Sequence, residues 1–578
     1  MILCYNVKAM KKFISILSVL LTIVIFCFSC EKKEKTVFPF NLEASATIVG
    51  TSNDFPNGDG SGKVIFTMSA NNAEYFEVYI PTNEETLTLY NKNGGEVSYA
   101  FDKNGDETTT YKVYVTACNS SGNTTNELSI TVYYAMPESD VQLWETNPSD
   151  SIYFERQSVA LNFTASGNNS YNTITVFPSD TYQEVDGFGF ALTKGSAVLL
   201  AGLSETNRNE ILNELFATDS TNIGVSYLRI SLGASDLNSE PYSYDNIEGD
   251  STLEHFSIAI EDDDLVPILQ QIIQINPDIK ILASPWSAPT WMKTNNAYVD
   301  GSLKTECHEV YAQYFVKYIQ AMADRGITIS AITPQNEPLY QYNNPSMYMP
   351  AEEENEFIKN YLYPAFQANN INTQIIVWDH NLDNIEYAKT ILSDPVTYDM
   401  IAGSAFHAYA GDISALTTLH NLYPNKNVYF TEQYTASTGN FEEDIVWHLK
   451  NLIIGAPRNW SKNVIEWNLA SDPSMGPHTD GGCSTCLGGI TIRGENVTKR
   501  NVSYYIVAHA SKFVRPGALR IGSTDYSDLP NIAYKNLDGS IVVIVLNYAT
   551  TAQTFNIKYN GQTFTSTLDG GTVGTYIW

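Results

Sequence analysis

The feature that most constrains this chain is a rhythm that begins at Gly187 and runs to Ala470. The segments GFGFALT, VSYLRISL, KILASPW, ISAITPQNEP, QIIVWDHN, IAGSAFHAY, NVYFTEQY and NVIEWNLA are short, apolar and strand-like. Helix-capable stretches separate most of them. In one, YAQYFVKYIQAMADRG, the residues Tyr311, Phe315, Tyr318 and Met322 recur at helical spacing and Gly326 stops the run. Eight strand–helix units in succession predict a parallel α/β fold closed as a TIM (β/α)8 barrel. Such barrels gather their chemistry at the C-terminal ends of the strands. Here those ends carry Arg229, Trp286, Asn336, Glu337, Asp379, His407, Tyr409, Glu432 and Trp467.

Within that set the stretch TPQNEP poses the sharpest question. Asparagine and proline are turn residues, and a solvated Glu337 capping a turn is the plain reading. Turn capping alone does not concentrate aromatic, amide and acid groups on one rim. Glu337 ends the predicted fourth strand and Glu432 the seventh, so both overlook the barrel mouth. Hydrolysis of a glycosidic bond needs two carboxyl groups flanking it, one protonated and one ionised, about 5–5.5 Å apart in a retaining enzyme. Proximity to an ionised carboxylate raises the pKa of its partner, so one of two such groups can stay neutral.

The flanks of the barrel read differently. Residues 41–138 alternate apolar and polar in short segments such as KVIFTMS, YFEVYI and YKVYVTAC, broken by turns such as NKNGGE. This pattern predicts an immunoglobulin-like β-sandwich module. Strand-like segments in 139–182 and 513–578 bracket the barrel of 183–512, and the two are expected to share one β side domain.

Net charge is −31, with 33 Lys+Arg against 64 Asp+Glu, which excludes phosphate-rich partners such as nucleic acid and anionic membrane surfaces. At the N-terminus, Lys11-Lys12 precede the apolar run Phe13 to Phe28, too short for a membrane span of about 20 residues. Residues 1–30 read as a lipoprotein signal peptide with Cys30 as the lipidated residue, followed by a linker over 31–40. The expected location is outside the cytoplasm, anchored by lipid to the outer membrane or cell surface. In an exported chain, Cys483 and Cys486 in GGCSTCLGG are expected to form a small loop disulfide. No DxDxDG loop, HExxH helix or phosphate loop appears, so neither a metal nor another cofactor is expected.

From about Gln183 onward the chain resembles glycoside hydrolase family 30. The motifs that carry the resemblance are GFGFALT, ILASPWSAPTWMKTN, TPQNEP, FHAYAG, FTEQ, WNLA and HASKFVRPGA, in family order. The resemblance implies retaining hydrolysis, with Glu337 as acid/base and Glu432 as nucleophile. It thereby implies that Glu337 is the carboxyl whose pKa is raised, kept neutral beside an ionised Glu432. It also implies that Asn336 donates to the sugar 2-OH, and that Asp236, Trp286, His407 and Trp467 line the glucose site. Tyr409 is expected to hydrogen-bond Glu432. Arg229 is expected to support the same carboxylate, a purely structural ion pair being the competing reading. Lys194 stands where the family commonly has an acid. The GGCSTCLGGITI segment looks like the β-1,6-glucanase branch, so the expected activity is endo-β-1,6-glucan hydrolysis by a monomer. A glucosylceramidase or other β-glucosidase is the alternative. A non-catalytic surface glycan-binding lipoprotein is the alternative from another class.

Overall fold

The computed structural model describes residues 37–49, 62–83, 85–101, 108–133, 139–165 and 169–578, with the single positions 51 and 57. The leader, Cys30 and most of the linker lie outside the described residues. Those described fall into two compact units, 37–133 and 139–578.

The first unit has a three-stranded sheet (Phe40–Ile48, Lys63–Asn71, Gly95–Ala100) and a four-stranded sheet (Glu85–Leu89, Tyr75–Ile80, Thr108–Asn119, Gly122–Tyr133). Alternation sends Val64, Phe66 and Met68 of one sheet, and Phe76, Val78, Val113 and Val115 of the other, into a common core. The long hairpin turns where the Asn119 side chain accepts from the Ser121 and Gly122 amides (2.8 and 3.2 Å). This is an asparagine replacing a backbone acceptor in a tight turn.

In the second unit eight parallel strands close into a barrel. We label them β1 (Gly187–Ala191), β2 (Tyr227–Ser231), β3 (Lys280–Ser284), β4 (Ala331–Ile332), β5 (Gln374–Asn381), β6 (Gly403–His407), β7 (Asn427–Glu432) and β8 (Ser461–Asn468). β8 pairs with β1 from Gly187↔Asn463 onward and shuts the ring. Gly189 permits that closure. A Cβ there would lie 1.8 Å from the Tyr227 carbonyl oxygen of β2.

Inward-facing Tyr227, Leu282, Ala331, Ile376, Ala405, Tyr429 and Ile465 fill the lower barrel as one apolar plug, giving the polar mouth a dry floor. Truncating a plug side chain such as Leu282 to alanine would cost about 2–5 kcal/mol. Outside the ring, helix His308–Ala323 buries Tyr311, Tyr314, Phe315, Tyr318 and Met322 against it. The helix is capped at Asp324, and Gly326 follows with φ +76°.

The fourth strand departs from the sequence reading. Its ladder is two residues long, and Glu337 stands five positions beyond it in irregular backbone with φ +43°. Pro334 and Pro338 lack the N–H a ladder needs, and the Asn336 amide is taken by the Pro285 carbonyl (2.8 Å).

The side β-domain draws strands from both flanks. Thr173–Glu184 runs parallel to Gln553–Tyr559 at its start and antiparallel to Leu519–Ser523 further on. Val573–Ile577 pairs with Gln142–Asn147. His509, on helix Val502–Ser511, joins this domain to the barrel through Thr146 Oγ1 (2.8 Å) and Thr575 Oγ1 (2.9 Å). Burial pushes its pKa down to about 3, so it bridges as a neutral ring.

Candidate active site

Arg229 and Asp379 organise the mouth. Arg229 projects from β2 and is fully buried. Its Nη1 donates to Glu432 Oε2 (2.6 Å), and its Nη2 to Asn336 Oδ1 (2.6 Å) and Asp379 Oδ2 (2.8 Å). Its guanidinium carbon lies 4.9 Å from the Trp286 ring centroid and 5.7 Å from that of Trp467. A planar cation that serves three acceptors and two aromatic faces fixes their mutual geometry.

Asp379 reaches the centre because β5 bulges there. Trp378 and Asp379 both have positive φ (+76° and +54°), and the register against β6 shifts between Trp378 and His380. The bulge turns the Asp379 carboxylate inward. Besides Arg229 it meets Ser284 Oγ (3.0 Å), Thr333 Oγ1 (2.8 Å), Thr431 Oγ1 (2.7 Å) and His407 Nε2 (3.1 Å). Its backbone carbonyl accepts the Glu337 amide (3.1 Å). Left-handed conformations of non-glycine residues cost about 1–3 kcal/mol each, and they cluster where a site over-determines them.

The two carboxylates converge. Glu337 Oε1 lies 3.0 Å from His407 Nδ1. Glu432 Oε1 accepts from the Tyr409 hydroxyl (2.9 Å) and lies 3.8 Å from the same nitrogen. One oxygen of each carboxylate and His407 Nδ1 all fall within 4.8 Å of one another. A closest approach of carboxylate oxygens within 4.8 Å is in keeping with the close pair of a retaining enzyme.

Electrostatics here departs from the sequence reading. Burial opposes charge on His407, but the Glu432 charge and the bonds to Asp379 and Glu337 outweigh it and raise its pKa to about 9. Burial would also raise Glu337, but the bond to His407 and the charges of His407, His380 and Arg229 hold it below its ordinary value. Burial raises Glu432 despite the pull of His407 and Arg229, and the Glu337 charge adds to the rise. The raised pKa thus falls on His407 and the lowered one on Glu337, the reverse of the direction expected for Glu337 from the sequence. The His407–Glu337 bond makes the two a single titrating pair.

The walls are aromatic. The Trp286 and Trp467 rings lie 5.4 Å apart at 30°. Asp236 is buried beside them and accepts the Cys483 amide on Oδ2 (3.2 Å). Burial, with the Glu432 charge adding to it, lifts Asp236 to about 7. Cys483 and Cys486 are joined by a disulfide. Lys194 is paired with Glu261 and Asp264 (3.1 and 2.7 Å).

Residues 185–514 match the glycosyl hydrolase family 30 TIM-barrel domain, and 517–576 match that family's beta sandwich domain. The chain belongs to glycosyl hydrolase family 30. As a family 30 protein it is a retaining glycoside hydrolase. It is 35% identical to the endo-1,6-beta-D-glucanase BGN16.3 of Trichoderma harzianum, over 63% of this chain and 78% of that protein. It is 28% identical to the lysosomal acid glucosylceramidase of Mus musculus, over 70% and 83% respectively. Among solved structures it is similar to the endo-beta1,6-glucanase BT3312, at a TM-score of 0.71 and 35% identity, covering 76% of this chain and 99% of that one.

The family 30 site thus unites Arg229, Asn336, Glu337, His407, Tyr409, Glu432, Trp286, Trp467 and Asp236. Sequence reasoning placed Asp379 at a strand end without giving it a role, yet it receives five side-chain contacts. It missed His380, whose Nε2 is 3.9 Å from Glu337 Oε1, and the hydroxyls of Ser284, Thr333 and Thr431. The signal available was the run WDHN, with two ionisable groups at one predicted strand end.

Proposed function

We propose that the chain is an endo-β-1,6-glucanase that acts by double displacement, with Glu432 as nucleophile and Glu337 as acid/base. The observation that carries this reading is the carboxylate pair within 4.8 Å, set in a family 30 barrel. The three curated relatives at 34–35% identity, which are endo-1,6-beta-D-glucanases, support the choice of glucan.

A glucosyl unit lies against Trp286 and Trp467, with Asp236 on its hydroxyls. Asn336 spends its carbonyl oxygen on Arg229, so its amide N–H groups remain to donate to the 2-OH. Glu432 Oε attacks the anomeric carbon as the glycosidic bond breaks. Arg229 and Tyr409 hold that carboxylate in line. The proton passes from His407 Nδ1 to Glu337 and on to the departing oxygen. This transfer changes no net charge in the site, so the low-dielectric pocket does not oppose it. Glu337, now a carboxylate, takes a proton from water, and the resulting hydroxide displaces Glu432 from the sugar.

Endo action needs a hold on the leaving chain, which departs on the acid/base flank. Tyr340 and Tyr342 stand three and five residues after Glu337, are 42% and 79% exposed, and meet edge to face at 5.6 Å. Exposed rings of this kind suit the faces of successive glucose units. The enzyme works as a monomer, anchored through Cys30 outside the cytoplasm.

The test is a product profile on pustulan beside laminarin, xylan and glucosylceramide. Gentio-oligosaccharides from pustulan are expected. No turnover of pustulan, with cleavage of glucosylceramide, would overturn the proposal.

A further inference from the structure

The loop from Gly476 to Gly489 ties together three arms of the site. On the first arm, Thr479 N–H donates to the Asp236 carbonyl (2.8 Å) and Cys483 N–H to the Asp236 carboxylate (3.2 Å). On the second, Thr479 Oγ1 donates to the Asn344 carbonyl (2.6 Å), and the Asn344 side chain to the Asp480 carbonyl (3.0 Å). Asn344 belongs to the loop that follows Glu337. On the third, Thr435 and Ala436, just past Glu432, pair antiparallel with Leu487 and Cys486, and Ser437 N–H donates to the Thr485 carbonyl (2.8 Å).

The Cys483–Cys486 bridge closes the tip of this loop. Cys486 is buried with Ala191, Leu237, Trp286 and Trp467, and Cys483 packs on the same cluster. One sulfur is thus anchored in the wall of the site. The other carries the residue whose amide faces Asp236. The approach is close enough to require glycine, because a Cβ on Gly482 would lie 2.4 Å from the Asp236 carbonyl oxygen.

We propose that the Cys483–Cys486 disulfide is a positioning element for the glucosyl unit. It holds the Cys483 amide on Asp236, so breaking it weakens sugar capture and leaves the Glu337–Glu432 chemistry in place. This rests on the reading of Asp236 as a ligand of sugar hydroxyls. A dithiol reductant would take over the disulfide and leave two thiols on the protein. Cys118 and Cys307 are already free, so among the described residues there is one bridge to break.

The test uses the full chain and 4-nitrophenyl β-glucoside, which keeps it separate from the question of which glucan is cleaved. Failure on pustulan alone would sink the glucanase reading and leave this comparison intact. Cys483→Ser/Cys486→Ser is expected to raise KM about tenfold, the worth of one hydrogen bond to a charged group, with kcat within about twofold. Dithiothreitol should produce the same change in the wild type, reverse on reoxidation, and do nothing to the double variant. In an Asp236→Ala background, removing the bridge should add no further rise in KM. An unchanged KM, a fall in kcat instead, or an equal KM rise with and without Asp236 would each overturn the proposal. Should the double variant not fold, reductant titration of wild type and Asp236→Ala, with near-ultraviolet circular dichroism reporting folding, makes the same comparison.

Discussion

The two carboxylates reach the mouth by opposite routes. Glu432 is the last residue of a six-residue strand on which Tyr429 and Thr431 face the barrel interior, so simple alternation would turn it outward; a register shift against β6 between Phe406 and His407 brings it to the mouth. Glu337 hangs beyond a two-residue ladder, in left-handed backbone, with its amide held by the Asp379 carbonyl and its side chain by His407. Asp379 is itself placed by the β5 bulge. The nucleophile arm is therefore set by an irregularity at the end of a paired strand, and the acid/base arm by contacts made beyond the end of one. This suits their tasks. A nucleophile needs one fixed line of attack, whereas an acid/base must change protonation state twice and so needs partners that can exchange a proton with it.

The largest effect expected is on the strand-borne arm. Glu432→Ala should lower kcat about 10⁴-fold or more. Added azide should restore turnover and give the α-glycosyl azide, and a β product would reverse the two roles. On the other arm, Glu337→Gln should cost about 10²–10⁴-fold on glucan. With a dinitrophenyl glucoside, whose leaving group needs no proton, bond cleavage should be nearly unaffected, so an equal loss on both substrates would contradict the assignment.

Asp379→Asn tests whether the second arm depends on the bulge. It is expected to lower kcat about 10²-fold by misplacing Glu337, and to cost about 3–5 kcal/mol by leaving buried Arg229 underpaired. Loss of stability with full activity in the folded fraction would separate the bulge from the acid/base arm.

The pH profile tests the shared proton. The folded pKa of His407 is raised from 6.5 to about 9. Its contribution to stability is therefore complete below about pH 6.5 and lost as pH rises through about 9. The alkaline limb of kcat/KM should fall tenfold per pH unit above about 9, and thermal unfolding should weaken over the same window. An alkaline limb near pH 5–6 would return the proton to a lone carboxyl. The smallest effect is expected from Tyr342→Ala, a few-fold loss in kcat/KM on pustulan with none on 4-nitrophenyl β-glucoside.

Much of this was legible in the chain because barrel strands are buried on both faces and announce themselves as apolar runs. Glu432, Tyr409, His407 and Trp467 follow from where such runs stop. Asp379 was harder to read because a bulge rotates it inward, and a bulge leaves no periodic mark. The direction of the Glu337 shift was not legible because a pKa depends on distances to groups remote in sequence: His407 lies 70 residues from Glu337 and 25 from Glu432.

The sequence by itself determined the eightfold alternation, the sandwich ahead of it and which residues stand at the rim, since hydrophobic periodicity is a local property. Only the tertiary structure decided the convergence of Arg229, Asp379 and His407 on the two acids, the protonation of that cluster, and the grip of the disulfide loop on Asp236. Those depend on distances across a closed barrel, which no local pattern encodes.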